Sequence, residues 1–335
     1  MSASVSMANK TTIVGAGAIG GLLALALARA GHEVTLLARG RTLDTLRSRG
    51  LTVTTPKGDE DVADRLALRA SDDAVTIGVQ DTIVIALKAQ TLPAVAHTLA
   101  PLLGPETVVL SAMNGLPWWF PSGFPGPLEG CHINAIDPGG AVSNSLAPDR
   151  AIGCVVHLSA FTTAPAIVRR GMGNHLIVGA ACEAQAPRAR ALAESLRSGG
   201  FDVTDAGEIR RDIWAKLWGN MNMNPISALT GSTADRILDD PMTHGLVLRL
   251  MDEASTIGER LGLKMGMLPA ERIAVTRKLG AFKTSMLQDL EASRPLEIEP
   301  LLGVFPELGR LLGIPTPFCD AVFGLVRQRA VNSGL

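Results

Sequence analysis

The sequence predicts an α/β protein in which a doubly wound sheet is followed by an all-helical domain. Three observations carry that expectation. Short apolar runs of strand length alternate with helical patterns through the first two hundred or so residues. Thr11–Arg39 compresses a strand, a glycine turn, a helix and a second strand into one unit. From Glu208 the strand-like runs stop and long helical patterns take over. The expected domains are residues 1–207 and 208–335.

Composition sets the outer bounds. At 335 residues the chain is too long for one small core and suits two domains. With 47% apolar and 19% charged residues it is globular rather than disordered. A net charge of −1 supplies no field to attract nucleic acid or an anionic membrane. The four cysteines (Cys131, Cys154, Cys182, Cys319) are scattered without C-x-x-C, which favours buried thiols in a reducing compartment over disulfides or a metal site. The start, MSASVSMANK, lacks the apolar core of a secretion signal, and Leu22–Ala30 is far shorter than the ~20 residues a bilayer span needs. The expectation is a cytoplasmic protein with no membrane, nucleic-acid or metal partner.

Thr11–Val14 is a β-branched run, Ile19–Ala30 is rich in Leu and Ala, and Val34–Leu37 is apolar again. Between them, Gly15, Gly17 and Gly20 form G-x-G-x-x-G, a weak signal alone in a chain with 35 glycines. Here a strand precedes it, a helix follows and a second strand closes the unit, which is the context of a Rossmann-type dinucleotide site. Gly15 serves the sharp turn, Gly17 the close approach of a pyrophosphate, and Gly20 the tight helix–strand contact. Gly15, Ala16, Gly17, Ala18, Ile19 and Gly20 are the candidate cofactor-binding loop, at a helix amino terminus whose free N–H groups suit a phosphate.

NAD-binding units usually carry an acid at the end of the second strand, yet no acid lies between Glu33 and Asp44. Arg39 stands there, with Arg41 two residues on. A guanidinium suits a 2′-phosphate in charge and in forked geometry, so NADP(H) is expected over NAD(H). The competing reading is a solvated pair of loop arginines.

Further along, Thr42–Arg49 is a short helix ending at Gly50, and Leu51–Thr55 and Leu66–Arg69 are strands around a turn at Pro56–Asp59. Thr82–Leu87 is a continuous apolar strand running out at Lys88, Thr91–Leu103 a helix, and Thr107–Leu110 a strand running out at Asn114-Gly115. Doubly wound sheets bind ligands beyond the carboxyl ends of their strands, which places Gly15, Lys88 and Asn114 around one crevice. The alternatives are a surface lysine for Lys88 and the left-handed residue of a turn for Asn114. Trp118-Trp119, in a loop with four prolines, is either a lid over a ligand or a plug under the loop. Ala151–Ser159 and Leu176–Ala180 are later strands, and Pro187–Ser198 a helix. Asp239–Leu261 is an amphipathic helix opened by Asp240-Pro241, and Pro300–Leu312 and Pro317–Arg329 are two more.

Within Arg210–Ala228, WAKLWGNMNMNP spaces Lys216, Asn220 and Asn224 at i, i+4 and i+8, on one helical face amid Trp214, Leu217, Trp218 and Met221. Buried polar groups need partners, and a ligand carrying carboxylate, carbonyl and hydroxyl oxygens would supply them. Solvent or a domain contact would serve equally. A lysine so placed could hold a keto oxygen and deliver a proton, with burial lowering its pKa toward the working pH.

Taken together these residues resemble the ketopantoate reductase (2-dehydropantoate 2-reductase) family, and the resemblance covers nearly the whole chain. It implies a helical second domain of the 6-phosphogluconate dehydrogenase C-terminal kind and NADPH-dependent reduction of 2-dehydropantoate to pantoate, in pantothenate biosynthesis. The glycine loop and Arg39 match the cofactor end; Lys88 in LKAQ and Asn114 in MNG match strand-end residues that contact cofactor or substrate. Lys216 matches the catalytic lysine, and Asn220 and Asn224 the substrate amides. Glu253 in MDEA lies where the family has a glutamate. In SMLQDLEASRPLEIEPLLG, Ser285 corresponds to a substrate-binding serine and Glu297 to an active-site glutamate, here placed in both the catalytic and the cofactor-binding sets. Read alone, Ser285 is a helix N-cap and Glu297 a surface acid.

Two departures bear on substrate: Phe282, three residues before Ser285, stands where the family can offer a polar side chain, and the tryptophan loop adds bulk after Asn114. The alternatives are therefore a related NADPH-dependent reductase of another 2-oxo acid and a non-catalytic NADP(H) sensor. Retention of Lys216 and both asparagines argues against the sensor. The Leu- and Met-rich C-terminal helices could pack internally or against a second copy in a homodimer.

Overall fold

Each apolar run of the first domain pairs with its neighbours in a sheet, in a computed structural model that describes residues 9–57 and 60–335. The opening MSASVSMA, with the expectation that it is no secretion signal, lies outside the described residues, as do positions 58 and 59 of the expected turn. The chain divides into two compact units. One takes the described residues up to Met113 together with Ala141–Ile209, and the other takes Asn114–Gly140 with Arg210–Leu335. The segment after the strand ending at Ser111 thus groups with the helical unit, which a continuous division at residue 207 does not anticipate.

Among the described residues there are twelve strands: β1 (Lys10–Val14), β2 (Glu33–Leu37), β3 (Leu51–Lys57), β4 (Glu60–Leu66), β5 (Arg69–Ser71), β6 (Thr82–Ile85), β7 (Val108–Ser111), β8 (Ala151–His157), β9 (Ala160–Ala164), β10 (Ile167–Arg170), β11 (His175–Ala180) and β12 (Asp202–Asp205). Eight form one sheet in the order β12-β11-β8-β7-β6-β1-β2-β5, parallel except where β8 meets β11. β1 lies inside the sheet, with Thr12 opposite Thr35 of β2 on one side and Ile83 of β6 on the other. This is the doubly wound, Rossmann-type sheet the sequence predicts.

A second sheet, β4-β3-β10-β9, is more than the sequence suggests. The expected strand Leu66–Arg69 is not one strand: Leu66 ends β4, which pairs antiparallel with β3 from Leu51↔Leu66 onward, and Arg69 begins the short β5. The helix Ala18–Arg29 contacts β3, β9 and β10 of this sheet as well as β1 and β2. With apolar strands on more than one side, Gly20–Leu27 are buried without interruption, so this helix carries no polar face. The expected helix Thr91–Leu103 breaks into a 3₁₀ turn, one α turn and a second 3₁₀ stretch, in the last of which Pro101 has no N–H to donate.

The second unit is built round the helix Ile209–Thr230, whose Trp214, Leu217, Trp218, Met221 and Ile226 are all buried. Trp218 Nε1 donates to the Met251 carbonyl at 3.0 Å, tying it to the helix Pro241–Arg260. Asp240 caps that second helix by accepting from the Met242 and Thr243 N–H groups. The expected Pro300–Leu312 helix opens as a π-helical turn, Glu299–Gly303, before Val304–Leu312; Pro317–Asn332 closes the chain. Trp118 and Trp119 are buried, and the Arg210 guanidinium lies over Trp119 while donating to the carbonyls of Phe120 and Ser122. The pair is a plug under its loop.

Candidate active site

The three glycines differ in what surrounds them. Gly15 has φ +106°, and a Cβ there would lie 2.8 Å from the Ala86 carbonyl oxygen. A Cβ on Gly20 would lie 1.9 Å from the Gly15 oxygen. At Gly17, by contrast, nothing lies within 4 Å of a built Cβ. Two glycines close the turn against strand and helix, and the third leaves bare, exposed backbone at the amino end of Ala18–Arg29, with no acid in its first turn. That is a cradle that repels no anion, and it fits a dinucleotide pyrophosphate.

Arg39 follows β2 by two residues and stands directly before the helix Gly40–Arg49. It is exposed, as is Arg41, and among the described residues neither pairs with a carboxylate, whereas Glu33 at the start of β2 is taken by Arg69. Lys88 is half-buried three residues past β6, next to β1 in the sheet, so it and Gly15 leave adjacent strands at the same edge. A cleft of about 750 Å³ lined by Lys10, Asp81, Glu106 and Arg188 opens at the strands' amino ends, the wrong edge for a ligand of a doubly wound sheet.

In the helical unit, Lys216 Nζ donates to Asn114 Oδ1 at 2.9 Å, and Asn114 Nδ2 donates to Glu297 Oε2 at 3.2 Å. Asn114 is thereby held between an ammonium and a carboxylate, which sets the orientation of its amide. It is not the left-handed residue of its turn: Gly115 is, at φ +80°, with a Cβ there meeting the Pro300 carbonyl oxygen at 2.4 Å. Leu116 N–H donates to that same oxygen, so the chain after β7 is pinned beside the turn that follows Glu297. Glu297 is buried, not the surface acid it suggests in isolation.

Asn220 and Asn224 continue the stripe from Lys216, the first half-buried and the second buried. Among the described residues neither side-chain amide makes a hydrogen bond within the protein, whereas Asn222, on the opposite face, donates to the Trp218 carbonyl. Ser285 is the first residue of the helix Ser285–Glu291, and the cap is Thr284, which accepts from Leu287 N–H. Thr284 also hydrogen-bonds Ser227, three residues beyond Asn224, and this ties the exposed Ser285 to the far end of the stripe. Glu253 has a different place: its two oxygens accept from the N–H groups of Phe318 and Cys319 at 2.9 Å each, capping the last helix. The Glu253 carboxylate also hydrogen-bonds the Cys319 thiol, which adds to burial in pushing that thiol well above its usual range. No group of three or more acidic, histidine or cysteine side chains able to hold a metal occurs among the described residues, all four cysteines are free with only Cys154 and Cys319 buried, and no described helix is long and apolar enough to cross a membrane.

The arrangement resembles known proteins over its full length. The family model for ketopantoate reductase PanE/ApbA matches residues 11–117, and that for its C-terminal part matches 208–330. A 2-dehydropantoate 2-reductase of Mesorhizobium japonicum is 44% identical over 326 residues, which is 97% of this chain and 99% of that one. A Ralstonia solanacearum protein proposed to be a ketopantoate reductase superposes with TM-score 0.92 at 44% identity, over 98% of this chain and all of the other. The fold is shared more widely, at TM-score 0.82 and 19% identity, with a D-mandelate dehydrogenase solved with NADH and anilino(oxo)acetate. This chain belongs to the ketopantoate reductase family.

Proposed function

We propose that this protein is an NADPH-dependent 2-oxo acid reductase whose substrate is 2-dehydropantoate and whose product is pantoate. The observation that carries the reading is the Lys216–Asn114–Glu297 chain beside Asn220 and Asn224, whose amides make no hydrogen bond among the described residues. The glycine cradle fits the cofactor pyrophosphate, and the exposed Arg39 and Arg41, which pair with no carboxylate among the described residues, suit a 2′-phosphate. The reduced nicotinamide supplies the hydride when bound.

The remaining chemistry belongs to this chain. Lys216 hydrogen-bonds the substrate's keto oxygen, polarises it, and donates a proton as negative charge develops there. Asn114, held by Glu297, keeps the ammonium aimed, so Glu297 acts on the reaction through Asn114. Asn220, Asn224 and Ser285 hold the substrate's other oxygens, and Lys88 works at the cofactor end. Ammonium and carboxylate are already paired through Asn114, so charge need not reorganise as the alkoxide forms.

The test is NADPH oxidation followed by absorbance with 2-dehydropantoate and a panel of 2-oxo acids, with NADH as control. Saturable turnover strongest with 2-dehydropantoate and NADPH is the expected result. Strong turnover with another 2-oxo acid would move the assignment to a related reductase, a reading that Phe282 just ahead of Ser285 favours. Tight NADPH binding with no carbonyl reduced would make the protein a sensor.

A further inference from the structure

Arg272 belongs to the helix Pro269–Arg277 of the helical unit, and its guanidinium is half-buried against the helix that carries Lys216. The point of contact is Gly219. A Cβ built there would lie 2.7 Å from Arg272 Nη2 and 3.2 Å from Cζ, so the guanidinium occupies the space a side chain at 219 would take. Gly219 stands three residues after Lys216 and directly before Asn220. Positions three apart on a helix are neighbours, with side-chain origins about 5–6 Å apart.

The guanidinium is poorly satisfied where it lies. Its one hydrogen bond among the described residues runs from Nη1 to Thr276 Oγ1 at 3.1 Å, and no carboxylate pairs with it. Arg277, five residues further along the same helix, does pair, with Asp239. Burial draws the Arg272 pKa below the ordinary guanidinium value, and no neighbouring acid offsets it. A half-buried cation that keeps most of its N–H donors free of protein partners, and within reach of solvent, is open to an incoming anion.

We propose that Arg272 binds the substrate carboxylate through its forked N–H groups, beside the keto oxygen held by Lys216. This rests on the reading of the site as a 2-oxo acid reductase. In such a substrate the carboxylate is bonded directly to the keto carbon, so its oxygens and the keto oxygen need cationic donors on adjacent ground. Gly219 supplies the room that lets the second cation reach it.

The test uses the intact chain as wild type, Arg272→Gln, Arg272→Lys and Gly219→Ala, which retains the arginine but displaces its fork. Steady-state kinetics with 2-dehydropantoate is paired with calorimetric binding of oxamate, a non-reducible 2-oxo carboxylate analogue, and of oxamide, which lacks the carboxylate. Arg272→Gln is expected to raise KM and weaken oxamate binding about 10- to 100-fold, the weight of a charge-assisted fork, with kcat and oxamide binding nearly unchanged. Arg272→Lys should fall between, and Gly219→Ala should shift oxamate in the same direction. Should Arg272→Gln fail to fold, Gly219→Ala and Arg272→Lys decide. Unchanged oxamate affinity in the variants, or equal losses for oxamate and oxamide, overturns the proposal. Should no 2-oxo acid turn over, the reductase reading fails, while arginine-dependent oxamate binding would still support the carboxylate site.

Discussion

Lys216 Nζ donates to Asn114 Oδ1 across 2.9 Å, although 102 residues separate the two in the chain. The lysine comes from the central helix of its unit and the asparagine from the segment after β7. Their meeting fixes the direction of the Lys216 ammonium, which under the proposed mechanism is the proton donor.

Replacing Lys216 by Ala should lower kcat about 10²- to 10⁴-fold, the usual weight of a positioned acid. Asn114→Ala should cost less. The double variant should be hardly slower than Lys216→Ala alone, since residues that act as one unit are not additive. Near-normal turnover of Lys216→Ala would remove the lysine from the mechanism.

Gly17→Ala and Gly20→Ala should separate binding from folding. The Gly20 substitution drives a methyl into the Gly15 carbonyl and should destabilise the protein by about 1–3 kcal/mol or more in urea unfolding. Gly17→Ala meets open space and should leave stability within about 0.5 kcal/mol. Its effect should appear instead as weaker NADPH binding, measured by quenching of protein fluorescence.

Arg39→Ala should weaken NADPH binding about 10- to 100-fold, the loss of a charge-assisted contact to phosphate, and leave NADH binding nearly unchanged. Equal losses for both cofactors would mean that the 2′-phosphate lies elsewhere.

His32 joins Thr11 of β1 to Ser195 on the helix Ala186–Ser198 through its two ring nitrogens. Burial holds its pKa below the ordinary 6.5, against a smaller raising pull from Asp81. The unfolded chain therefore takes up this proton first as pH falls. Its contribution to stability is complete above pH 6.5 and is lost as pH drops from there toward the folded value. Urea midpoints from pH 8 to pH 5 should show this decline in the wild type and a shallower one in His32→Gln. Equal slopes would assign the decline to other groups.

Much of the fold was legible because its signals are local. The strand runs of β1, β6 and β7, the glycine loop and the Asp240-Pro241 helix start each depend on a few consecutive residues. The polar stripe Lys216–Asn220–Asn224 follows from the 3.6-residue turn alone. β9, β10 and β12 escaped notice because none of them carries a continuous apolar run; three of β9's five residues are exposed, and the second sheet that β9 and β10 help form depends on which segments pair.

By itself, then, the sequence determined the glycine turn between the first strand and helix, the helix that carries Lys216 and the family to which the chain belongs, since spacing and residue type suffice for all three. Only the tertiary structure decided that Asn114 stands between Lys216 and Glu297, that Trp118 and Trp119 are a plug rather than a lid, that Thr284 and not Ser285 is the cap, and that Arg272 rests on Gly219. Each of these but the cap joins residues far apart in the chain, and such contacts are set by which surfaces pack together, a choice no local period encodes. The cap turns on a hydroxyl that reaches one backbone N–H and not another, and Thr284 and Ser285 look alike to any pattern in the sequence.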